Sequence, residues 1–279
     1  MQLLLALLAL AYVAASDSSS QWCYEIQTKQ PNSHCLGPQQ WTGNCKGENQ
    51  SPINLIIAKA RVNYSLTPFT FVGYNQMKRW TVKNNHHTVM MSLEGEGMCI
   101  FGGDLPGRYE ATQLHLHWSE EQNRGSEHTI DGKRFDMEVG EKMNEGFQPL
   151  IEALPSISKP NSNTALKESR LQDMLPSNEK LYYYFRYQGS LTTPNCDETV
   201  IWTVFKEPIK IHKDQFLEFS KNLYYDEDKK LNMKGNVRPL QHLGRRQVFR
   251  SHASGRLLFL PLPALLVLTL THLVASFLQ

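Results

Sequence analysis

Seven consecutive residues, Thr199-Val200-Ile201-Trp202-Thr203-Val204-Phe205, are all β-branched or aromatic. Such side chains lose rotamer freedom in a helix and fit a pleated surface, so the run is predicted as a strand. Tyr182-Tyr183-Tyr184-Phe185 and Thr88-Val89-Met90-Met91 repeat the signal, with Gly, Pro, Asn and Asp punctuating the intervals. Helical pattern is sparse. It is confined to Phe147 to Leu154, with Pro149 near the start, and Lys213 to Asn222, where Phe216, Phe219 and Ser220 share a face. The chain therefore reads as mainly β with a few short helices that pad the sheet. A length of 279 residues, 41% hydrophobic and 20% charged, supports a substantial core and excludes disorder as the main theme. No tandem repeat, heptad array or low-complexity linker interrupts it, so residues 17–250 are taken as one domain. The formal charge of +2 gives no electrostatic reason to invoke nucleic acid.

Both ends carry targeting patterns. Residues 1–16 begin MQLLLALLALAYVAA, an apolar stretch ending in small residues before the polar Asp17-Ser18-Ser19-Ser20, and read as a signal peptide. Residues 251–279 read as a GPI-anchor signal: small residues and a short polar stretch, Ser251-His252-Ala253-Ser254-Gly255-Arg256, precede an apolar tail from Leu257 to Gln279. An ordinary C-terminal transmembrane helix has the same length. The absence of any charge after the tail favours the lipid anchor, with Ser251 preferred to Ser254 as the attachment point. Arg245, Arg246 and Arg250 are read as a solvated, membrane-proximal face. These ends place the domain on the outer face of the cell membrane, where disulfides persist. The five cysteines cannot all pair within one chain, so one is left over. Asn63-Tyr64-Ser65 is a glycosylation sequon suited to that compartment.

The chemically informative segment is Gln113-Leu114-His115-Leu116-His117-Trp118. Residues i and i+2 of a strand project from one face, so His115 and His117 aim two imidazoles at one point while Leu114, Leu116 and Trp118 face the other way. Neutral imidazole suits Zn²⁺, which in catalytic sites takes three protein ligands and keeps one position open. A lone His-x-His is equally compatible with a structural role, so its context decides.

That context runs through most of the chain. Gln113 to Trp118, with Gly102-Gly103-Asp104-Leu105-Pro106 before and Gly125-Ser126-Glu127-His128 after, resembles the zinc-binding core of the α-carbonic anhydrases. So do Gly47-Glu48-Asn49-Gln50-Ser51-Pro52-Ile53, Asn84-Asn85-His86-His87, Gly189-Ser190-Leu191-Thr192-Thr193-Pro194, Val200 to Phe205 and Asn236-Val237-Arg238-Pro239-Leu240-Gln241, in family order. The resemblance implies a central, mostly antiparallel twisted sheet and the reversible hydration of carbon dioxide to bicarbonate and a proton. It implies Zn²⁺ on His115 and His117, Thr192 orienting the zinc hydroxide and donating to Glu127, and Thr193 contacting substrate. His87 would be the proton shuttle, with His86 beside it where relatives carry a small residue. Gln113 would hold His115 in its productive tautomer, and Leu191, Val200 and Trp202 would wall an apolar pocket. The cysteines would pair Cys23 with Cys35 and Cys45 with Cys196, leaving Cys99 as a buried thiol. The implied partners are carbon dioxide and bicarbonate, the membrane through the anchor, and bicarbonate transporters as candidates, with the chain acting as a monomer.

The pattern breaks at one place. The family carries Glu-x-His on the strand after Gly-Ser-Glu-His, whereas this chain reads Phe135-Asp136-Met137-Glu138-Val139-Gly140, with Gly140 at the ligand position. The family's further strand and loop beyond that histidine are missing, and the text resumes at Gly140-Glu141-Lys142-Met143. An internal segment is therefore expected to be deleted after Val139, leaving the sheet incomplete. His128, His86 and His87 are nearby but are not expected to replace the lost ligand in tetrahedral geometry. The alternative to an active enzyme is therefore a catalytically impaired or inactive domain, either a binding module or a non-functional isoform.

Overall fold

The computed structural model describes residues 22–119, 125–134 and 142–252. The signal peptide of residues 1–16, the junction at Val139 and Gly140, and the tail beyond His252 lie outside the described residues.

The seven-residue run forms the strand Val200–Phe205, paired antiparallel along its whole length with Tyr184–Gly189. Phe249–Ser251 pairs antiparallel with the far edge of Tyr184–Gly189 and parallel with Arg61–Asn63. A second four-stranded sheet is antiparallel throughout, in the order Asn163–Ala165, Thr81–Asn84, Val89–Ser92, Gln113–His115. Phe69–Val72, Cys99–Gly102 and Tyr109–Glu110 make a third, antiparallel sheet. In the fourth, Asn54–Leu55 runs parallel to Thr129–Ile130, which pairs antiparallel with Lys133–Arg134. The protein is thus mainly β and mostly antiparallel, as its sequence indicates. Tyr182 departs from the expectation. It closes a 3₁₀ turn, and the strand starts at Tyr184.

The two expected helices are present. Lys213–Asn222 buries Phe219 and Ser220 and is capped by His212, whose Nδ1 accepts the Asp214 amide at 3.2 Å. Gln148–Ala153 carries Pro149 in its first turn, where the missing amide proton costs nothing. These helices cover a core containing Trp41, Trp80, Trp118, Phe147 and Phe219. A separate cluster holds Ile53, Tyr187, Val200, Trp202 and Val204, with Leu191 packed against it.

Two disulfides close the architecture, Cys23–Cys35 and Cys45–Cys196, and Cys99 is a buried free thiol. The first spans 12 residues and the second 151. Loop closure in the unfolded chain makes their weights unequal, at about 3 and about 5 kcal/mol respectively. Replacing Cys45 and Cys196 by Ser should therefore lower the denaturant midpoint clearly more than replacing Cys23 and Cys35. Equal or reversed losses in urea titrations would contradict this ordering.

Candidate functional site

Antiparallel pairing sets Met90 opposite His115, Met91 opposite Leu114 and Ser92 opposite Gln113. Side chains alternate along the strand, so Gln113 and His115 share one face while Leu114 packs on the core around buried Met91. The ladder ends at His115 rather than continuing through Trp118. Beyond it the chain is held by a side chain from 118 residues away: the Asn236 Oδ1 accepts the Trp118 amide at 2.7 Å, and its Nδ2 donates to the Leu116 and His87 carbonyls. Leu116 and Trp118 are buried, which leaves His117 on the side of His115.

The two imidazole rings are 4.9 Å apart, centroid to centroid. His115 Nδ1 lies 3.0 Å from Gln113 Oε1, and His117 Nδ1 lies 2.7 Å from the Asn236 carbonyl oxygen. Each partner is an acceptor, so each Nδ1 carries the proton and each Nε2 presents a lone pair. Burial, followed by the neighbouring His117, lowers the His115 pKa to about 3, which keeps the ring neutral. A neutral ring with a free Nε2 is the form that can bind a metal ion.

Glu127 is buried beside this pair. Its Oε1 accepts the Arg238 amide at 3.0 Å, and its Oε2 stands 3.5 Å from His117 Nε2. Arg238 donates to Gln50 Oε1, to the Ser51 carbonyl and to the Cys45 carbonyl. Neither Asn236 nor Arg238 was assigned a task from sequence. Both stand in a recognisable motif, but their partners lie more than a hundred residues away and leave no local signal.

Among the described residues no third His, Cys, Asp or Glu joins His115 and His117 in a metal-binding group. His128 is occupied elsewhere. Its Nε2 is 2.6 Å from Tyr187 Oη, which lies 2.8 Å from Ser51 Oγ, and its ring packs 4.6 Å from Trp202. His87 stacks on Trp22 with centroids 3.6 Å apart, and its buried Nδ1 has no hydrogen-bond partner among the described residues. Burial, with a smaller contribution from His86, lowers the His87 pKa to about 4. His86 adopts a left-handed backbone at φ 70° and is held by Asn84 Oδ1, which accepts its amide. Thr192 is buried, and no hydrogen bond joins its hydroxyl to Glu127 among the described residues. Thr193 accepts the Cys196 amide through its carbonyl, within the segment tied by the second disulfide. Gly140 lies outside the described residues.

In the sheet of Val200–Phe205, Ser251 is buried and pairs in register with Asn63. Its hydroxyl donates to the Tyr182 carbonyl at 2.8 Å and accepts the Tyr184 amide at 2.9 Å. Among the described residues no helix is long and apolar enough to cross a membrane.

Comparison with known proteins bears on the site. The model of the eukaryotic-type carbonic anhydrase family matches residues 36–141 and 138–252, two stretches that meet at 138–141. Carbonic anhydrase 4 of Rattus norvegicus is 66% identical over 310 aligned positions covering all of both chains, and that of Oryctolagus cuniculus is 51% identical over 311. Carbonic anhydrase 12 of Homo sapiens is 32% identical over 77% of this chain and 71% of its own. An alignment of 310 positions on a chain of 279 residues sets about thirty positions of the rat relative opposite gaps.

The buried His128 gives a titration that can be measured. Burial lowers its pKa from 6.5 to about 3, with His117 and Arg246 adding to the effect. The unfolded chain therefore takes up a proton near pH 6.5 that the folded chain refuses. The stabilisation is complete above that pH and is lost as pH falls towards 3. Between pH 7 and pH 5 this residue alone should remove about 2 kcal/mol of stability. Urea titrations should show a shallower pH slope for His128→Gln than for the parent, and an unchanged slope would count against a neutral buried ring.

Proposed function

The chain belongs to the eukaryotic-type carbonic anhydrase family, and from that premise we propose that it is a cell-surface carbon dioxide and bicarbonate enzyme whose zinc site is one ligand short. The family's reaction is carbonate dehydration and its reverse. The supporting observation is the pair of imidazoles whose Nδ1 atoms face Gln113 and Asn236, so that both Nε2 atoms are left as donors. Zinc, when bound, supplies hydroxide at neutral pH, an effect of which carbonic anhydrase is the standard example. A catalytic zinc centre takes three protein ligands. His115 and His117 are two, and Gly140 has no side chain to be the third. The donor set therefore does not fit a complete catalytic centre, and this polypeptide hydrates carbon dioxide feebly.

The other residues of the site keep the places from which they would serve it. Glu127, fixed by the Arg238 amide, is the buried acceptor for the Thr192 hydroxyl once a substrate orders that side chain. Thr193 is the substrate contact in this reading, and Leu191, Val200 and Trp202, which pack in one apolar cluster, offer uncharged carbon dioxide a wall. His87 is the relay position, and its stacking on Trp22 and low pKa make it a slow one. Residues 1–16 direct export, residues 17–250 form the domain, and residues 251–279 direct a GPI anchor to Ser251. Asn63 carries a glycan, the protein works as a monomer, and bicarbonate transporters are candidate partners.

The test is the zinc content and carbon dioxide hydration rate of the full chain. The parent should hold well under one zinc per chain after dialysis and hydrate poorly. Disturbing a metal ligand's hydrogen-bond partner alone costs about 10- to 100-fold in affinity, so supplying a missing ligand with Gly140→His should raise zinc affinity by at least that much. One firmly held zinc per chain with fast hydration in the parent would refute the reading.

A further inference from the structure

Of the eight large hydrophobic side chains exposed among the described residues, Tyr64 and Tyr182 are tied to the point where the C-terminal strand ends, Tyr183 follows Tyr182 in the chain, and Phe101 stands beside the adjoining groove. The connections are direct. Ser251 is paired with Asn63 and hydrogen-bonded to the Tyr182 carbonyl, and in the unprocessed chain the next residue, His252, packs its ring 4.9 Å from that of Tyr64. Tyr64 is the most exposed of the eight, at 75%. Tyr182 also lines a groove whose other walls include Pro68, Thr70 and Leu175. Phe101 stands directly across the sheet from Thr70, so the two share a face at the groove's edge.

The sequence continues from this point into residues 253–279, with the apolar stretch from Leu257 onward. Whether that stretch is exchanged for a lipid or retained as a span, the membrane is attached at the same spot on the domain. We propose that this tyrosine-rich face is the surface that rests on the bilayer, its rings entering the headgroup region. The inference builds on the membrane-tether reading above. The occupant is a lipid surface because the face adjoins the tether and carries the one side chain type, with tryptophan, that combines an apolar ring with a polar tip suited to that depth. Faces remote from the tether have no such constraint. Asn63 lies in the same patch, so a carbohydrate on it is the competing cover.

The experiment is hydroxyl-radical footprinting of the full chain, expressed in cells, purified and reconstituted into phosphatidylcholine vesicles. It is compared with the same protein released by a phosphatidylinositol-specific phospholipase, and is run for the parent and for Asn63→Gln. Oxidation of Tyr64, Phe101 and Tyr182 should fall severalfold on vesicles in both proteins, while Leu217 and Leu240, exposed outside the patch, keep their rates. Equal oxidation of the tyrosines on and off vesicles overturns the proposal and leaves the tether intact. Protection that persists after release and disappears with Asn63→Gln assigns the face to carbohydrate and also overturns it. A full chain found only in the medium overturns both the tether and the face. Resistance to the phospholipase overturns the lipid anchor alone. In that case the vesicle-bound chain is compared with detergent-solubilised protein, and the tyrosine-to-leucine oxidation ratio decides the face.

Discussion

A buried guanidinium holds the centre of this molecule together. Arg238 is 2% exposed, and it places charge-assisted hydrogen bonds on Gln50, on the Ser51 carbonyl and on the Cys45 carbonyl while its cation lies over Trp41. Burial lowers its pKa, but a guanidinium stays charged at any ordinary pH. Removing one partner would leave a buried N–H without its acceptor, at a cost of about 1–3 kcal/mol. The N-terminal loop, the long-range disulfide through Cys45 and the backbone that presents an amide to Glu127 are therefore committed to one arrangement.

The candidate site inherits its geometry from this commitment. Glu127 is fixed by Arg238 at one oxygen and turned towards His117 at the other. Asn236, two residues before Arg238, aligns His117 through its carbonyl and the preceding backbone through its side chain. Tyr187, Ser51 and Ser190 form a neighbouring buried network that occupies His128 and receives the Trp202 indole through the Ser190 carbonyl. Such networks are rigid because every breakage exposes an unsatisfied polar group to a low-dielectric interior. The same rigidity keeps His128 with Tyr187 and Trp202.

The two histidines and the C-terminal strand have different surroundings. Around His115 and His117 the structure is closed and hydrogen-bonded, as a site that must hold two rings within tenths of an ångström requires. Around Ser251 it presents aromatic rings to the outside. Ser251 itself is locked into the sheet by two hydrogen bonds, so the strand keeps its partners to its last residue.

Much of the fold was legible in the sequence because it rests on local rules. The β-branched run of Val200–Phe205, the helix Lys213–Asn222 and the proline-led helix Gln148–Ala153 all express propensity and periodicity that short windows contain. The pairing of His115 and His117 on one face was legible for the same reason, since a strand has a period of two. The break from the family pattern at Gly140 is a reading of the sequence alone, since Gly140 lies outside the described residues. What windows cannot contain is the contact between distant segments. The ladder's early end at His115, the capture of His117 and Trp118 by Asn236, the Arg238 hub, the seizure of His128 by Tyr187 and the stacking of His87 on Trp22 each join residues tens to more than a hundred positions apart. The sequence alone determined which elements would form and which two imidazoles would face the same way. Only the tertiary structure decided which polar partners pin them and which other histidines are spoken for, because a buried polar group takes its partner from whatever the completed fold brings within about 3 Å.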